Sequence, residues 1–165
     1  MFRHEHPFAP IFDENSEVLI LGSFPSVISR RENFYYAHPG NRFWKIMVYL
    51  TGTDPFPGNI EAKKDMLFRH QIALWDVVQS CTIEGSQDHR IGNVTPVDLG
   101  SFLERVPIKK IFTNGRKAHQ LFHRFFAKYK DFDVKILPST SAANAAFNFT
   151  KLAEKWRIIL PFLNN

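Results

Sequence analysis

Asn41 lies in the stretch of the chain richest in chemical possibility, Asn33 to Met47 (NFYYAHPGNRFWKIM). Phe34, Tyr35 and Tyr36 form an aromatic triplet, His38-Pro39 breaks the chain, and Gly40-Asn41-Arg42 opens an aromatic helix. Tyr rings beside an amide make a slot that can stack on a planar heterocycle and read its polar edge. The same residues also read as an ordinary loop in which Asn41 caps the helix, with Phe43 and Trp44 in the core. On composition alone the two readings balance. A second group carries small hydroxyls and amides: Ser23 and Ser26 in GSFPS, Asn114 in FTNG, and Ser139, Ser141 and Asn144 in PSTSAAN. Such groups, with backbone N–H groups exposed before a helix, suit phosphate oxygens. Arg30, Arg31, Arg42, Arg90, Arg116 and Lys117 lie in or just beyond the same segments. Singly, each Ser or Asn reads as a cap and each Arg as solvated. Together they point to a nucleic-acid or nucleotide ligand.

Other chemistries lack their residues. GSFPS follows an apolar run, as a phosphate loop would, but has neither the Walker spacing nor its Lys. Ser139 and Ser141 have no His in their loop to activate them. His4 and His6 are one residue apart, while His38 and His89 sit in separate segments, so no helical pair completes a metal site. The single cysteine, Cys81, excludes an internal disulfide and a multi-cysteine metal centre. Neither a metal nor a cofactor is expected. Asp76, closing an apolar run, reads equally as a general base and as a strand-end hydrogen-bonding residue.

The elements that must position these groups are four short apolar runs: Val18 to Gly22, Ile72 to Val78, Ile108 to Thr113 and Val134 to Leu137. They read as buried strands of a parallel sheet. Helical spacing fills the intervals at Asn41 to Tyr49, Glu61 to His70, Arg116 to Tyr129 and Thr150 to Leu160. This alternation predicts an α/β fold, a three-layer α/β/α sandwich around a mainly parallel four-stranded sheet. Ligands of such sheets bind at the carboxyl ends of the strands. That places the functional edge at Ser23–Ser29, Gln79–Asn93, Asn114–Lys117 and Pro138–Asn144. The chain's 165 residues suit one domain, 1–165, and no repeat or linker divides it. Lys and Arg number 21 against 16 Asp and Glu, a net charge of +5 that leans toward a polyanion. No run approaches a membrane span or a signal peptide, so a cytoplasmic chain is expected.

VLILGSFPS, AHPGNRFWKIM and LPSTSAANA, in that order along the chain, resemble motifs of the uracil-DNA glycosylase superfamily. With HPFAPIFDENS, GSQDHRIGN and FTNGRKAHQLF, the pattern is similar to its DNA-deoxyinosine (hypoxanthine) glycosylase family across nearly the whole chain. Phe24 stands where mismatch-specific members carry Asn, GSFPS has no Asp, and Leu137 stands where uracil enzymes often have His.

The resemblance implies hydrolysis of the N-glycosidic bond of a deaminated base in DNA, without lyase chemistry, metal or membrane, by a monomer in the bacterial or archaeal cytosol near the nucleoid. It implies Asn41 as the catalytic residue, and Phe24, Tyr36, His38 and Asn114 around the flipped base. Ser23, Ser26, Arg42, Arg116, Ser139, Ser141, Ala142 and Asn144 would hold the DNA, with Ala142 and Ala143 at the tip of an intruding loop. Hypoxanthine is the first expected base. The alternatives are a uracil or thymine mismatch glycosylase, a nucleic-acid-binding module that has lost its chemistry, and an enzyme of free nucleosides.

Overall fold

The computed structural model describes residues 2–84 and 90–164. Its strands are β1 (Arg3–Glu5), β2 (Val18–Gly22), β3 (Ile72–Asp76), β4 (Val78–Ile83), β5 (Ile91–Pro96), β6 (Lys110–Asn114) and β7 (Lys135–Leu137). Its α-helices are α1 (Val27–Glu32), α2 (Phe43–Thr51), α3 (Ile60–Arg69), α4 (Leu99–Arg105), α5 (Arg116–Phe125) and α6 (Phe149–Trp156). β3-β2-β6-β7 form a parallel sheet, matching the α/β architecture read from the four apolar runs. Every residue of β2 and β3 is buried, as a parallel strand covered on both faces requires. The chain leaves central β2, builds β3 on one side, and returns to β6 on the other. The loops after β2 and β6 therefore part at their carboxyl ends and open a crevice.

The helices follow their apolar spacing. α5 buries Ala118, Leu121 and Phe122, and α6 buries Leu152, Ala153 and Trp156. Both end earlier than expected and pass into 3₁₀ turns, at Ala127–Phe132 and Arg157–Phe162. Much of the phenylalanine excess is core: Phe43, Phe102, Phe112 and Phe122 are fully buried with Trp156. Among the described residues no helix is long and apolar enough to cross a membrane.

One expectation needs correcting. Gln79–Asn93 is not a loop at the functional edge. After Val77 the chain enters β4, which pairs antiparallel with β1 and β5 in a second sheet, order β1-β4-β5. Residues 85–89, which hold His89 and the start of GSQDHRIGN, lie outside the described residues. The second sheet has a consequence for the first. Glu5 pairs with Ser80, the His6 N–H donates to Gln79 O at 2.7 Å, and Ile11 bridges Leu74. The amino-terminal segment is thus laid along β3, with His6 over its carboxyl end.

Candidate active site

A cleft of about 1260 Å³ opens at the carboxyl ends of β2, β6 and β7. The loop after β2, the Tyr35–Asn41 stretch, the first turns of α5 and the loop after β7 form its walls. Ten of the thirteen residues that the resemblance assigns to the site line it: Ser23, Phe24, Ser26, Tyr36, Asn41, Asn114, Arg116, Ser139, Ser141 and Asn144.

Asn41 lines the cleft and also holds the backbone at the entrance to α2. Its Oδ1 accepts the Phe43 N–H at 2.9 Å, closing the entrance to α2. Oδ1 is thereby held at the helix, and Nδ2 is the amide group left to address the cleft. Tyr36 sits beside it at φ 53°, a left-handed conformation that non-glycine residues seldom adopt. One face of its ring is stacked on Phe43, with centroids 4.2 Å apart and planes 23° apart. Phe24 is buried below, edge-on to His6. His38 is not brought into the cleft lining. Its Nδ1 accepts the Gly40 N–H at 2.9 Å, which holds the exposed imidazole at the rim beside Gly40.

Two expected ligand-binding residues turn out to hold the protein's own backbone. Arg42 donates to Ser141 O at 2.9 Å, to Asn144 O at 3.2 Å and to Phe147 O. Its guanidinium thereby braces the loop after β7. Asn114 bonds Thr140 in both directions: Nδ2 donates to Oγ1 at 3.0 Å and Oδ1 accepts the N–H at 3.1 Å. It ties the end of β6 to the same loop while lining the cleft. Within the loop, Ser139 Oγ accepts the Ser141 N–H, Ser141 Oγ accepts the Ala143 N–H, and Asn144 Nδ2 donates to Ser139 O. These local turns replace regular structure with a shaped, braced loop. Ala142 and Ala143 stand exposed at its tip. Ser26 is likewise a cap, its Oγ accepting the Ser29 N–H of α1 at 3.2 Å.

Among the described residues, the charged groups on the wall are Arg116, Lys117 and Lys155, all cationic, against a single carboxylate. Arg116 and Lys117 open α5 with no acidic residue in its first turn and no side-chain cap. Cations there oppose the helix dipole, and a bound anion would relieve both.

The carboxylate is Asp76, only 4% exposed on the cleft floor. Its Oδ2 meets His6 Nε2 at 2.7 Å, with the two side chains 5% and 2% exposed. The sequence marked both residues separately, but 70 residues divide them, and their pairing had no local signal. The Tyr35 hydroxyl donates to Ala9 O at 3.1 Å. Burial first, then the Asp76 and Tyr36 charges, pushes it well above the usual phenol range, so it stays a donor. Among the described residues no three His, Cys, Asp or Glu side chains converge as metal ligands.

Family comparison agrees with this geometry. Residues 9–160 match the model of the uracil DNA glycosylase superfamily. The chain belongs to that superfamily. A hypoxanthine DNA glycosylase of Methanosarcina acetivorans is 37% identical over 153 residues, covering 92% of this chain and 95% of the relative. One from Methanosarcina barkeri is 35% identical over 138 residues, 83% of this chain and 86% of the relative. A solution NMR structure from Methanosarcina acetivorans, of a protein named as a candidate uracil DNA glycosylase, superposes with a TM-score of 0.82 at 34% identity, covering 98% of each chain. The superfamily fold thus extends over the whole described chain, and the cleft lies where its loops converge.

Proposed function

We propose that this protein is a monofunctional DNA glycosylase that flips deoxyinosine out of DNA and hydrolyses the bond between C1′ and N9, releasing hypoxanthine. The observation that carries the proposal is Asn41, which lines the cleft with its Oδ1 held by the Phe43 N–H and Nδ2 left as its donor. A hypoxanthine leaving group gains from hydrogen-bond donors, because negative charge collects on its ring as the bond to the sugar breaks. The reaction passes through a cationic, oxocarbenium-like sugar. A donor at the base and a carboxylate below it are complementary to those two charges.

The remaining parts fit the same event. Extruding a nucleotide costs a few kcal/mol, less for a mispaired base. The braced loop after β7 presents Ala142 and Ala143 to fill the vacated stack, and Arg116, Lys117 and Lys155 face the phosphates. Phe24 and the open face of Tyr36 supply apolar contact for the ring. The cleft is complete within one chain, which supports action as a monomer, and we assign it to the cytosol. The two relatives named as hypoxanthine DNA glycosylases support the choice of base.

The test is incubation of the protein with oligonucleotides carrying inosine, uracil, xanthine or ethenoadenine, followed by hot alkali. Alkali-dependent breaks at inosine are expected. Breaks at uracil alone would assign the mismatch-uracil activity instead, and binding without breaks would leave a DNA-binding module. Release of hypoxanthine from free deoxyinosine would point to nucleoside metabolism.

A further inference from the structure

The loop after β2, GSFPS, contains no acidic residue, and the amide of Asn41 cannot accept a proton from water with any strength. Among the described residues the cleft nevertheless holds one carboxylate, Asp76, and several elements combine to place it. The parallel register sets Asp76 directly beside Gly22, and the Val77 N–H continues the pairing to Gly22 O at 2.9 Å. A Cβ built on Gly22 would lie 2.4 Å from Asp76 Oδ1 and 3.2 Å from the Tyr36 hydroxyl. Only glycine lets the carboxylate reach this position beside the tyrosine that borders Asn41.

His6 holds the other oxygen. Its Nδ1 accepts the Phe8 N–H at 3.4 Å, which leaves Nε2 to donate to Asp76 Oδ2 at 2.7 Å. Phe8, Phe24 and Tyr35 surround the imidazole, with ring centroids 4.8, 5.9 and 6.1 Å away. A buried carboxylate is costly unless paired and hydrogen-bonded. Here the pairing satisfies Oδ2 and leaves Oδ1 toward Gly22 and the cleft. An arrangement serving stability alone could be replaced by apolar side chains at little cost.

We infer that Asp76, oriented by His6, is the general base of the reaction. This rests on the hydrolytic reading above. The attacking water forms its bond to C1′ as the bond to N9 breaks, and its proton passes to Asp76 Oδ1. The electron pair of the broken bond leaves on hypoxanthine, whose charge the Asn41 amide meets. The base then takes up a proton, and Asp76 returns its own to solvent, so that one water is consumed per hypoxanthine and abasic sugar formed. While ionised, Asp76 also places negative charge below the cationic sugar. Asp76 is the catalytic residue and His6 the positioning residue.

The test uses the full chain and an inosine duplex, with single-turnover hypoxanthine release, equilibrium binding and thermal melting measured on each variant. Asp76→Asn keeps the shape of the side chain and removes the base. Its cleavage should fall about 10²-fold or more with binding unchanged. His6→Phe keeps the aromatic packing and removes the donor, so its rate should fall too, while His6→Gln, which retains an N–H, should recover part of the loss. Gly22→Ala displaces Asp76 without altering it and should lower cleavage in the same way. These independent perturbations keep the inference exposed even where one variant does not fold. A folded Asp76→Asn or Gly22→Ala protein that cleaves at the wild-type rate overturns it, as does equal loss in His6→Gln and His6→Phe. Folded wild-type protein that releases no hypoxanthine would instead overturn the proposed function.

Discussion

Asn41 Oδ1 lies 2.9 Å from the Phe43 amide nitrogen, so one side chain both starts α2 and borders the cleft. That hydrogen bond, an Asx turn onto the first helical N–H, holds the oxygen at the backbone and leaves Nδ2 as the hydrogen-bonding group that remains. Capping and catalysis are therefore separable by a substitution that keeps an acceptor and loses the donor.

Arg42 and Arg116 should behave differently, although both were read as phosphate ligands. Arg42→Ala removes the donor to three carbonyls of the loop after β7 and should destabilise the fold by about 1–3 kcal/mol. It should weaken DNA binding by loosening that loop while the dependence on salt stays the same. Arg116→Ala should leave the melting temperature near wild type and reduce the log–log salt slope by about 0.9, the loss of one phosphate contact on duplex DNA. Titrations at several salt concentrations distinguish them, and a changed slope for Arg42→Ala would return that residue to the DNA.

The loop tip is tested from the opposite wall. A Cβ on Gly40 would sit 3.0 Å from Ala142 Cβ and 3.2 Å from the His38 ring. Gly40→Ala should push the tip out of line and slow cleavage of duplex inosine more than of single-stranded inosine, where no stack must be opened. Equal slowing on both substrates would show that the tip does not act on the stack.

Acid stability carries a signature of its own on α5. Burial first, and then the neighbouring His123, hold the His119 imidazole below its usual range. His123 Nε2 lies 3.1 Å from His119 Nε2, and Thr113 Oγ1 lies 2.8 Å from His119 Nδ1. The unfolded chain therefore takes up a proton at a pH where the folded chain resists it. Stability should be intact above the ordinary imidazole range and fall as the pH drops through it. His123→Gln removes the competing charge and should lessen that fall, read as a smaller difference in melting temperature between neutral and mildly acidic buffer.

The parallel sheet was legible because β2, β3 and β6 are short, apolar and bounded by turn residues, and burial on both faces demands that pattern. Edge strand β7 was expected to be buried, yet it leaves Lys135 and Ile136 exposed and buries Leu137 alone. β4 was not, because Gln79, Ser80 and Thr82 interrupt its apolar residues and make VQSCTI read as a polar connection. Strand β5 carries Gly92 and Pro96, both poor strand formers. Asn41, Tyr36 and the loop after β7 were legible as a local constellation. The bracing contacts of Arg42 were not legible, because a sequence shows a cation and not the carbonyls 99 to 105 residues away that it meets. The His6–Asp76 pair depends on the β1–β4 pairing and on Ile11 bridging Leu74, contacts that leave no periodic trace.

The central claim, that Asn41 acts on the substrate as well as on its helix, is tested most directly by Asn41→Asp. A carboxylate still accepts the Phe43 N–H, so the entrance to α2 keeps this hydrogen bond and the melting temperature should stay near wild type. The donor is gone, and removal of one such preorganised group costs on the order of 10²–10³ in rate. The measurement is single-turnover release of hypoxanthine from an inosine duplex, beside equilibrium binding to the same duplex. Cleavage reduced by that factor with binding largely retained is the predicted result; wild-type cleavage by Asn41→Asp would mean that Asn41 is a helix cap and nothing more.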